Sequence, residues 1–368
     1  MIQTKRLNTR QLCFIIITLF SVSKFYVLPA YVSGISKEAG YLSVGLNFFI
    51  DFLLLLACVF IVKNKNGSLY ETSISIFKKP LTDITFLLFA VYFLAKAFVP
   101  LLEQKNTISL TFYESQPTLL IFMPFFIVAF YIVKQGVNAF ARAVELMLWV
   151  FGLAILIIFA LSVPVGNYQS LLPLFQPINK VYNGAFNTLL WFGDPVVILF
   201  LGDYLTEKKN LYKRATFSFI ISAVVTILLV AIFYAIFQSI AERQYYAPIK
   251  MSKYSITLSN IGRLDYFGSI LFSLVSVYSI TLPLLLACEC INSVFKLKGG
   301  NFISPLIVTV CEAMLVYLFQ NEIFTNVSFM QRYFMPFFLI TAYFLPIVFA
   351  VAIKVKNTAF RRKNVQAR

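Results

Sequence analysis

The chain has 368 residues, of which 60% are hydrophobic and 12% charged, and its formal net charge is +16. Soluble domains are about a quarter charged, so this composition indicates a membrane protein and excludes a large soluble catalytic domain. Histidine is absent, which excludes Ser-His-Asp and Cys-His nucleophile systems and histidine zinc sites. The five cysteines lie in apolar runs without ligand spacing, so we expect free buried thiols, no metal site and no cofactor.

Apolar runs separated by polar loops predict an all-α integral membrane protein with ten transmembrane helices. The runs lie near residues 11–33, 41–62, 81–103, 118–133, 139–163, 182–204, 214–239, 265–291, 303–321 and 331–353. Lysine and arginine concentrate on one side of this arrangement, which predicts that both termini are cytoplasmic. The positive charge then faces the anionic lipid bilayer, and we expect no nucleic-acid partner.

The first run contains polar residues near its middle, where helices that cross a membrane are usually apolar. Ser21, Val22, Ser23 and Lys24 follow one another there, and Pro29 comes five residues later. Proline lacks a backbone donor and clashes with the preceding turn of a helix. The pattern therefore predicts an interrupted first helix.

The sixth run contains a second such pattern, made by Trp191, Phe192, Gly193, Asp194 and Pro195. Glycine permits unusual torsions and proline ends the preceding helix. Unpaired backbone at membrane depth is tolerated only where it lines a protein cavity. Runs one and six are five apart, which predicts a five-plus-five inverted repeat with a shared site. Two proline kinks without a shared site are the alternative.

The predicted repeats cover about residues 11–163 and 182–353 of a single polytopic domain, 1–368. At 1.5 Å per residue, Lys24, Asp51 and Asp194 fall at similar depth near the middle of runs one, two and six. An isolated charge there costs at least a few kcal/mol, so we expect these residues to face the interior and pair. Lys24 is predicted to bridge to Asp51 or Asp194. Such a pair either closes a polar ligand site or only stabilises the helix break.

Other polar residues inside the runs are weaker candidates. Lys96 lies in the third run, and Glu312 in the ninth is either an isolated protonated carboxyl or a partner of Lys96. Arg142 and Glu145 are predicted to form an i,i+3 pair. Tyr278 is an aromatic candidate for the wall of a ligand site. Three further hydroxyl-bearing candidates are Tyr92, Ser279 and Thr281.

Four stretches resemble the spore germination permeases, the B subunits of GerA-type germinant receptors in the amino acid–polyamine–organocation superfamily. They are NTRQLCFIIITLFSVSKFYVLP at 8–29, YIVKQGVNAFARAVELMLW at 131–149, NYQSLLPLFQPINKVYNGAFNTLLWFGDP at 167–195 and GRLDYFGSILFSLVSVYSI at 262–280. Asp194 would hold the acidic position that follows phenylalanine and glycine in the family's sixth helix. Lys24 departs from the small or apolar residues expected in the first helix break.

The resemblance implies a leucine-transporter-like fold of ten helices, with broken helices 1 and 6 around a small-molecule ligand such as an amino acid or a nucleoside. It also implies a complex with A and C receptor subunits, in the spore inner membrane or the bacterial cell membrane. Backbone groups around 21–23 and 192–194 would hold the charged ends of the ligand, as half-helix termini do. Trp191, Phe192 and Tyr278 would cover its apolar part.

We therefore expect a germinant-sensing, permease-like subunit that signals to partner subunits. A proton- or sodium-coupled amino-acid transporter of the same superfamily needs the same site and is the alternative. A membrane transferase would need a cluster of catalytic groups at the interface, which the sequence lacks, so we expect no enzyme activity. The segment 240–263 is either a gating helix or a solvated loop, and 64–80 is predicted to lie on the cytoplasmic surface.

Overall fold

The computed structural model describes residues 7–65, 67–112, 118–173, 176–254, 264–297, 300–319 and 333–366. Within these ranges the chain is helical apart from short connections and an isolated bridge between Leu7 and Leu205. The prediction of an all-α protein is therefore confirmed for the described residues.

The α-helices of the described residues are numbered in chain order. They are α1 Thr9–Val22, α2 Leu28–Ser36, α3 Gly40–Asn64, α4 Leu69–Phe77, α5 Lys79–Phe112, α6 Thr118–Gln135, α7 Val137–Ser162, α8 Ile178–Thr188, α9 Val197–Leu201, α10 Leu211–Phe237, α11 Ala247–Tyr254, α12 Leu264–Phe295, α13 Gly300–Leu318 and α14 Leu345–Gln366. Residues 333–338 and the π-helix Leu339–Phe344 run without a gap into α14.

Among the described residues, seven helical segments are long and apolar enough to cross a membrane. They are Leu28–Asn64, Lys79–Ile108, Val137–Val165, Ile178–Leu201, Leu211–Arg243, Ile270–Phe295 and Tyr333–Lys356. Three shorter apolar helices lie at Thr9–Val22, Met123–Gln135 and Phe302–Leu318. Two helices extend well beyond the predicted runs: α5 accommodates Pro100 and continues to Phe112, beyond the predicted end near 103, and α14 continues to Gln366, beyond the predicted end near 353.

The first predicted interruption lies between α1 and α2. The chain leaves the helix after Val22 and makes short turns, in which the Lys24 amide donates to the Ser21 carbonyl at 3.0 Å. Helix α2 then begins with Pro29 in its first turn, where a backbone N–H would have no helical partner in any case. The predicted interruption is therefore present, and Pro29 lies in the first turn of α2 rather than at the point where α1 ends.

The second interruption lies between α8 and α9. A 3₁₀ turn, Leu189–Trp191, ends the first half, and a second 3₁₀ turn, Asp194–Val196, with Pro195 in it, begins the other half. Gly193 lies between these turns in the left-handed region, with φ of 82°. A side chain would be strained in that conformation, so the glycine sets the direction of the second half.

Both interruptions lie inside the bundle. Helix α1 packs against α7, α10 and α12, and α12 runs along α5. Helix α3 packs against α8 and α10. The outward faces are apolar, as Trp149 on α7 shows with 79% exposure. Large apolar side chains exposed along long helices are expected where a protein meets lipid rather than water.

One predicted side-chain pair is wrong. Arg142 and Glu145 do not pair along α7: Glu145 instead binds Arg10 of α1 at 2.9 Å, and Arg142 Nε donates to the Asn138 carbonyl at 3.4 Å. The packing of α1 on α7 offers Glu145 a partner on the neighbouring helix, so a tertiary contact replaces the local one.

Two predicted surface segments are helical in part. The segment 240–263 contains α11, and 64–80 contains α4. Residues 255–263 and 66 lie outside the described residues. All five cysteines are free thiols, but Cys311 is exposed and Cys13 only half-buried, so the expectation of burial is wrong for these two.

Close packing of α8 against α2 and α3 depends on Gly184. A Cβ at this position would lie 2.9 Å from the Ser43 Cβ and would collide with the Ser36 hydroxyl. We predict that Gly184→Ala lowers the melting temperature of the purified protein by several degrees, because overpacking costs about 1–3 kcal/mol. Gly152→Ala is the matched control, since nothing lies within 4 Å of its Cβ position. Equal melting temperatures for the two variants would contradict this packing.

Candidate functional site

Asp194 follows the second interruption directly, and its carboxylate lies between two lysines. The ammonium of Lys24 contacts Oδ2, and Nζ of Lys96, from α5, lies 2.9 Å from Oδ1. The Lys24 side chain is fully buried, whereas those of Lys96 and Asp194 are 12% and 13% exposed. Of the two partners that the sequence left open for Lys24, the structure therefore selects Asp194.

Lys24 also binds the backbone that the first interruption releases. Its ammonium donates to the Phe20 carbonyl at 2.9 Å and to the Ser23 hydroxyl at 3.4 Å. The rings of Phe192 and Phe48 lie 5.0 and 5.7 Å from it, within the range of cation–π attraction. A positive charge at this position also interacts favourably with the negative end of the α1 helix dipole. Lys24 thus stabilises the end of α1 and joins it to the second interruption.

Lys96 binds the backbone groups that the second interruption releases. Its ammonium donates to the carbonyls of Leu190 and Phe192 at 3.3 and 2.6 Å. These carbonyls precede the left-handed glycine, where the helical hydrogen-bond pattern is broken. Buried carbonyls without partners would be costly in an apolar interior, so Lys96 stabilises the break itself.

Asp51 of α3 holds the glycine at the centre of the break. Both of its carboxylate oxygens accept from the Gly193 amide at 3.0 Å, and the Tyr343 hydroxyl donates to it at 2.8 Å. The Tyr92 hydroxyl donates to the Gly193 carbonyl at 3.1 Å. Both backbone groups of Gly193 are therefore bound by side chains, and Asp51 pairs with backbone and hydroxyl groups rather than with Lys24.

A cavity lies beside Asp194, between α1, α5, the second interruption and α12. Its volume is about 50 Å³, counted as the space open to the centre of a water-sized sphere. One water needs about 10–15 Å³ by this measure, so the cavity has room for a few waters or a small solute. Its lining residues are Leu19, Phe20, Ser23, Ala95, Lys96, Val99, Pro100, Leu190, Trp191, Asp194, Val197, Ser279, Leu282, Pro283 and Phe338.

The cavity brings together four of the residues predicted for the site. These are Ser23, Lys96, Trp191 and Asp194. Another group of predicted residues lies just behind the wall, where it holds the backbone or packs against it. This group is Val22, Lys24, Asp51, Phe192 and Gly193.

Ser21, Tyr278 and Glu312 do not line the cavity. The Ser21 hydroxyl donates to the Ile17 carbonyl and lies 2.9 Å from the Ser222 hydroxyl. Tyr278 turns toward α7, where its ring lies 6.1 Å from that of Phe140. Glu312 is fully buried, and its carboxylate has no hydrogen-bond partner among the described residues. It does not pair with Lys96, whose carboxylate partner is Asp194.

Sequence reasoning missed part of the wall and one residue behind it. Ser279 was a weak candidate but replaces Tyr278 in the wall, since successive residues point about 100° apart on a helix. Glu103 binds the Trp191 indole N–H at 3.1 Å, so it fixes the ring that closes one side. Pro100 and Pro283 lie inside predicted membrane-spanning runs, and they are the sequence signal that could have identified this part of the wall.

Comparisons with known proteins give a consistent result. A family model described as "Spore germination protein" matches residues 6–323. "Spore germination protein KB" of Bacillus subtilis (strain 168) is 22% identical over 378 residues, covering 99% of each chain. The crystal structure of MhsT in complex with L-phenylalanine superposes with a TM-score of 0.62, covering 93% of this chain and 87% of MhsT at 16% identity. The chain therefore shares the fold of MhsT, which is leucine-transporter-like.

The tight packing around Gly193 can be tested by comparison with Gly136, a glycine of the same backbone conformation. A Cβ at Gly193 would lie 2.8 Å from the Ala342 Cβ and 3.0 Å from the Tyr92 hydroxyl, whereas nothing lies within 4 Å of one at Gly136. Both glycines have φ near 80°. We predict that Gly193→Ala lowers the free energy of unfolding by about 1–3 kcal/mol more than Gly136→Ala does. Denaturant titration of both variants measures the difference, and equal losses would contradict the close approach at the break.

Proposed function

Because the chain belongs to the spore germination protein family, we propose that it is a germinant-sensing, permease-like subunit of a spore germinant receptor. The observation that carries the proposal is the cavity beside the two interrupted helices, with the Lys96–Asp194 ion pair in its wall. Exposed charge in an otherwise apolar cavity marks a binding site for a small polar molecule.

The same observations support a ten-helix, five-plus-five inverted repeat in a single domain, with about residues 11–163 and 182–353 as its halves. The interruptions in the first and sixth predicted helices are five helices apart, and the fold is that of MhsT. The family's name supports a location in the spore inner membrane, and the apolar helices support a multi-pass protein. The distribution of lysine and arginine supports cytoplasmic termini.

An amino acid fits the chemistry of the cavity wall better than a nucleoside. Lys96 and Asp194 present opposite charges 2.9 Å apart, and both are partly exposed there. A zwitterion can place its carboxylate at the ammonium and its own ammonium at the carboxylate, whereas a nucleoside carries neither charge. The apolar wall, with Trp191, would then cover the side chain of the ligand. The small volume favours a small amino acid.

The signal to partner subunits would leave from the end of the bundle where Leu7 meets the chain after α9. The amide of Leu7 donates to the Tyr204 carbonyl at 2.6 Å, and its carbonyl accepts from the Thr206 amide at 3.1 Å. In the same turn, Asp203 pairs with Lys65. These contacts tie the chain before α1 and the loop after α3 to the end of α9. Closure of the interrupted helices on a ligand would therefore move this surface, where the A and C subunits would read it.

The alternative is a proton- or sodium-coupled amino-acid transporter. The fold shared with MhsT is compatible with it, because the same two-state closure would serve transport and sensing. Uptake of radiolabelled amino acid into proteoliposomes separates the two: accumulation supports the transporter, and binding without accumulation supports the sensor.

Trp191 offers a direct reporter of binding. The chain has two tryptophans, and Trp149 faces outward, so a Trp149→Phe protein reports only the cavity. We predict that a small amino acid changes its fluorescence saturably. Lys96→Met in the same background weakens binding by about tenfold or more, because a charge-assisted contact is lost.

Tyr278→Phe is the control, because Tyr278 is next to Ser279 in the sequence but lies outside the cavity wall. The Tyr278→Phe protein is expected to bind the amino acid with the same binding constant as its parent. Thermal unfolding of each variant verifies that it is folded. A panel of the common amino acids that leaves the Trp191 emission unchanged would contradict the proposed function. Equal binding by folded Lys96→Met protein would contradict the proposed site.

A further inference from the structure

Interrupted membrane helices release carbonyl oxygens, and in transporters such carbonyls coordinate sodium ions or protons. In this protein the released carbonyls of Phe20, Leu190 and Phe192 are all bound by lysine ammonium groups. Lys24 binds the first of them and Lys96 the other two. The chain thus places its own positive charges where an ion would otherwise be coordinated.

The surroundings of Lys24 are those of a bound cation. Its ammonium has three N–H donors and meets three oxygen acceptors: a carbonyl of Phe20, the hydroxyl of Ser23 and the carboxylate of Asp194. Carbonyl, hydroxyl and carboxylate oxygens are also the ligands that hard metal cations take. The Lys24 side chain is fully buried, so water does not compete for these oxygens.

Basic and acidic groups are already matched around this position. Lys24 and Lys96 are the two basic side chains, and Asp51 and Asp194 are the two acidic ones. Asp194 has one lysine on each carboxylate oxygen, and Asp51 is bound by the Gly193 amide and the Tyr343 hydroxyl. An added sodium ion would find these oxygens occupied and would leave an uncompensated positive charge in the membrane interior, which is unfavourable.

We propose that Lys24 is a tethered cation that takes the place of a coupling ion at the end of the interrupted first helix, so that the ligand site forms without sodium or another alkali ion. The inference rests on the proposed function in taking the adjacent cavity as the ligand site, and it narrows the alternative function to a sodium-independent transporter. Removal of the ammonium would leave the oxygens of Phe20, Ser23 and Asp194 as an empty cation site.

The test measures thermal unfolding of the purified full-length protein in sodium chloride and in choline chloride at equal ionic strength. The melting temperature of the parent protein is expected to be the same in both salts. Lys24→Met protein is expected to melt lower in choline and to gain a saturable rise of about 2–4 °C with sodium. Lys180→Met is the control, because Lys180 pairs with Glu38 outside the site and is 44% exposed.

A saturable sodium-dependent rise in the parent protein would overturn the proposal. A folded Lys24→Met protein without a sodium response beyond that of Lys180→Met would overturn it as well. If Lys24→Met protein cannot be purified, the test uses amino-acid binding by the parent protein. The binding constant measured from Trp191 fluorescence is expected to be equal in the two salts. Binding that requires sodium would overturn the proposal. The melting measurements need no ligand, so failure of the proposed function, seen as no amino-acid response, is distinguishable from failure of this inference.

Discussion

The structure depends on one constraint: backbone polar groups that leave a helix inside a membrane must be bound by the protein. Within the part of the chain that the structure describes, two helices are interrupted, and three charged side chains bind the groups that they release. Lys24 binds a carbonyl at the end of α1, Lys96 binds the carbonyls before Gly193, and Asp51 binds the Gly193 amide. These three charged side chains therefore bind the backbone groups that the interruptions expose.

Asp194 joins the contacts at the two interruptions into one cluster of side chains. Its carboxylate receives both lysines, so the end of α1, the middle of α5 and the start of α9 are joined through one side chain. The cavity lies beside Lys96 and Asp194, the members of this cluster that line its wall. Beyond the far end of α9, the chain is joined to Leu7 by backbone hydrogen bonds. A ligand that changes the Lys96–Asp194 contact would thus act on both interrupted helices at once, as a sensor requires.

The interruptions could be predicted from the sequence, because the polar residues 21–24 with Pro29 after them, and the glycine–proline pair at 193 and 195, are local signals. It placed Lys24 in the same layer as two carboxylates but did not choose between them, since depth along a helix does not say which way a side chain faces. The same limit explains Tyr278, which is one residue from the cavity wall. Glu145 turned to another helix, a contact that no local pattern predicts.

The central claim is that the ion pair between Lys24 and Asp194 joins the two interrupted helices. A double-mutant cycle measures this coupling most directly, from the unfolding free energies of the parent, Lys24→Met, Asp194→Asn and the double variant. We predict a favourable coupling of about 1–3 kcal/mol, with each single variant less stable than the parent. Additive effects, with coupling near zero, would contradict it.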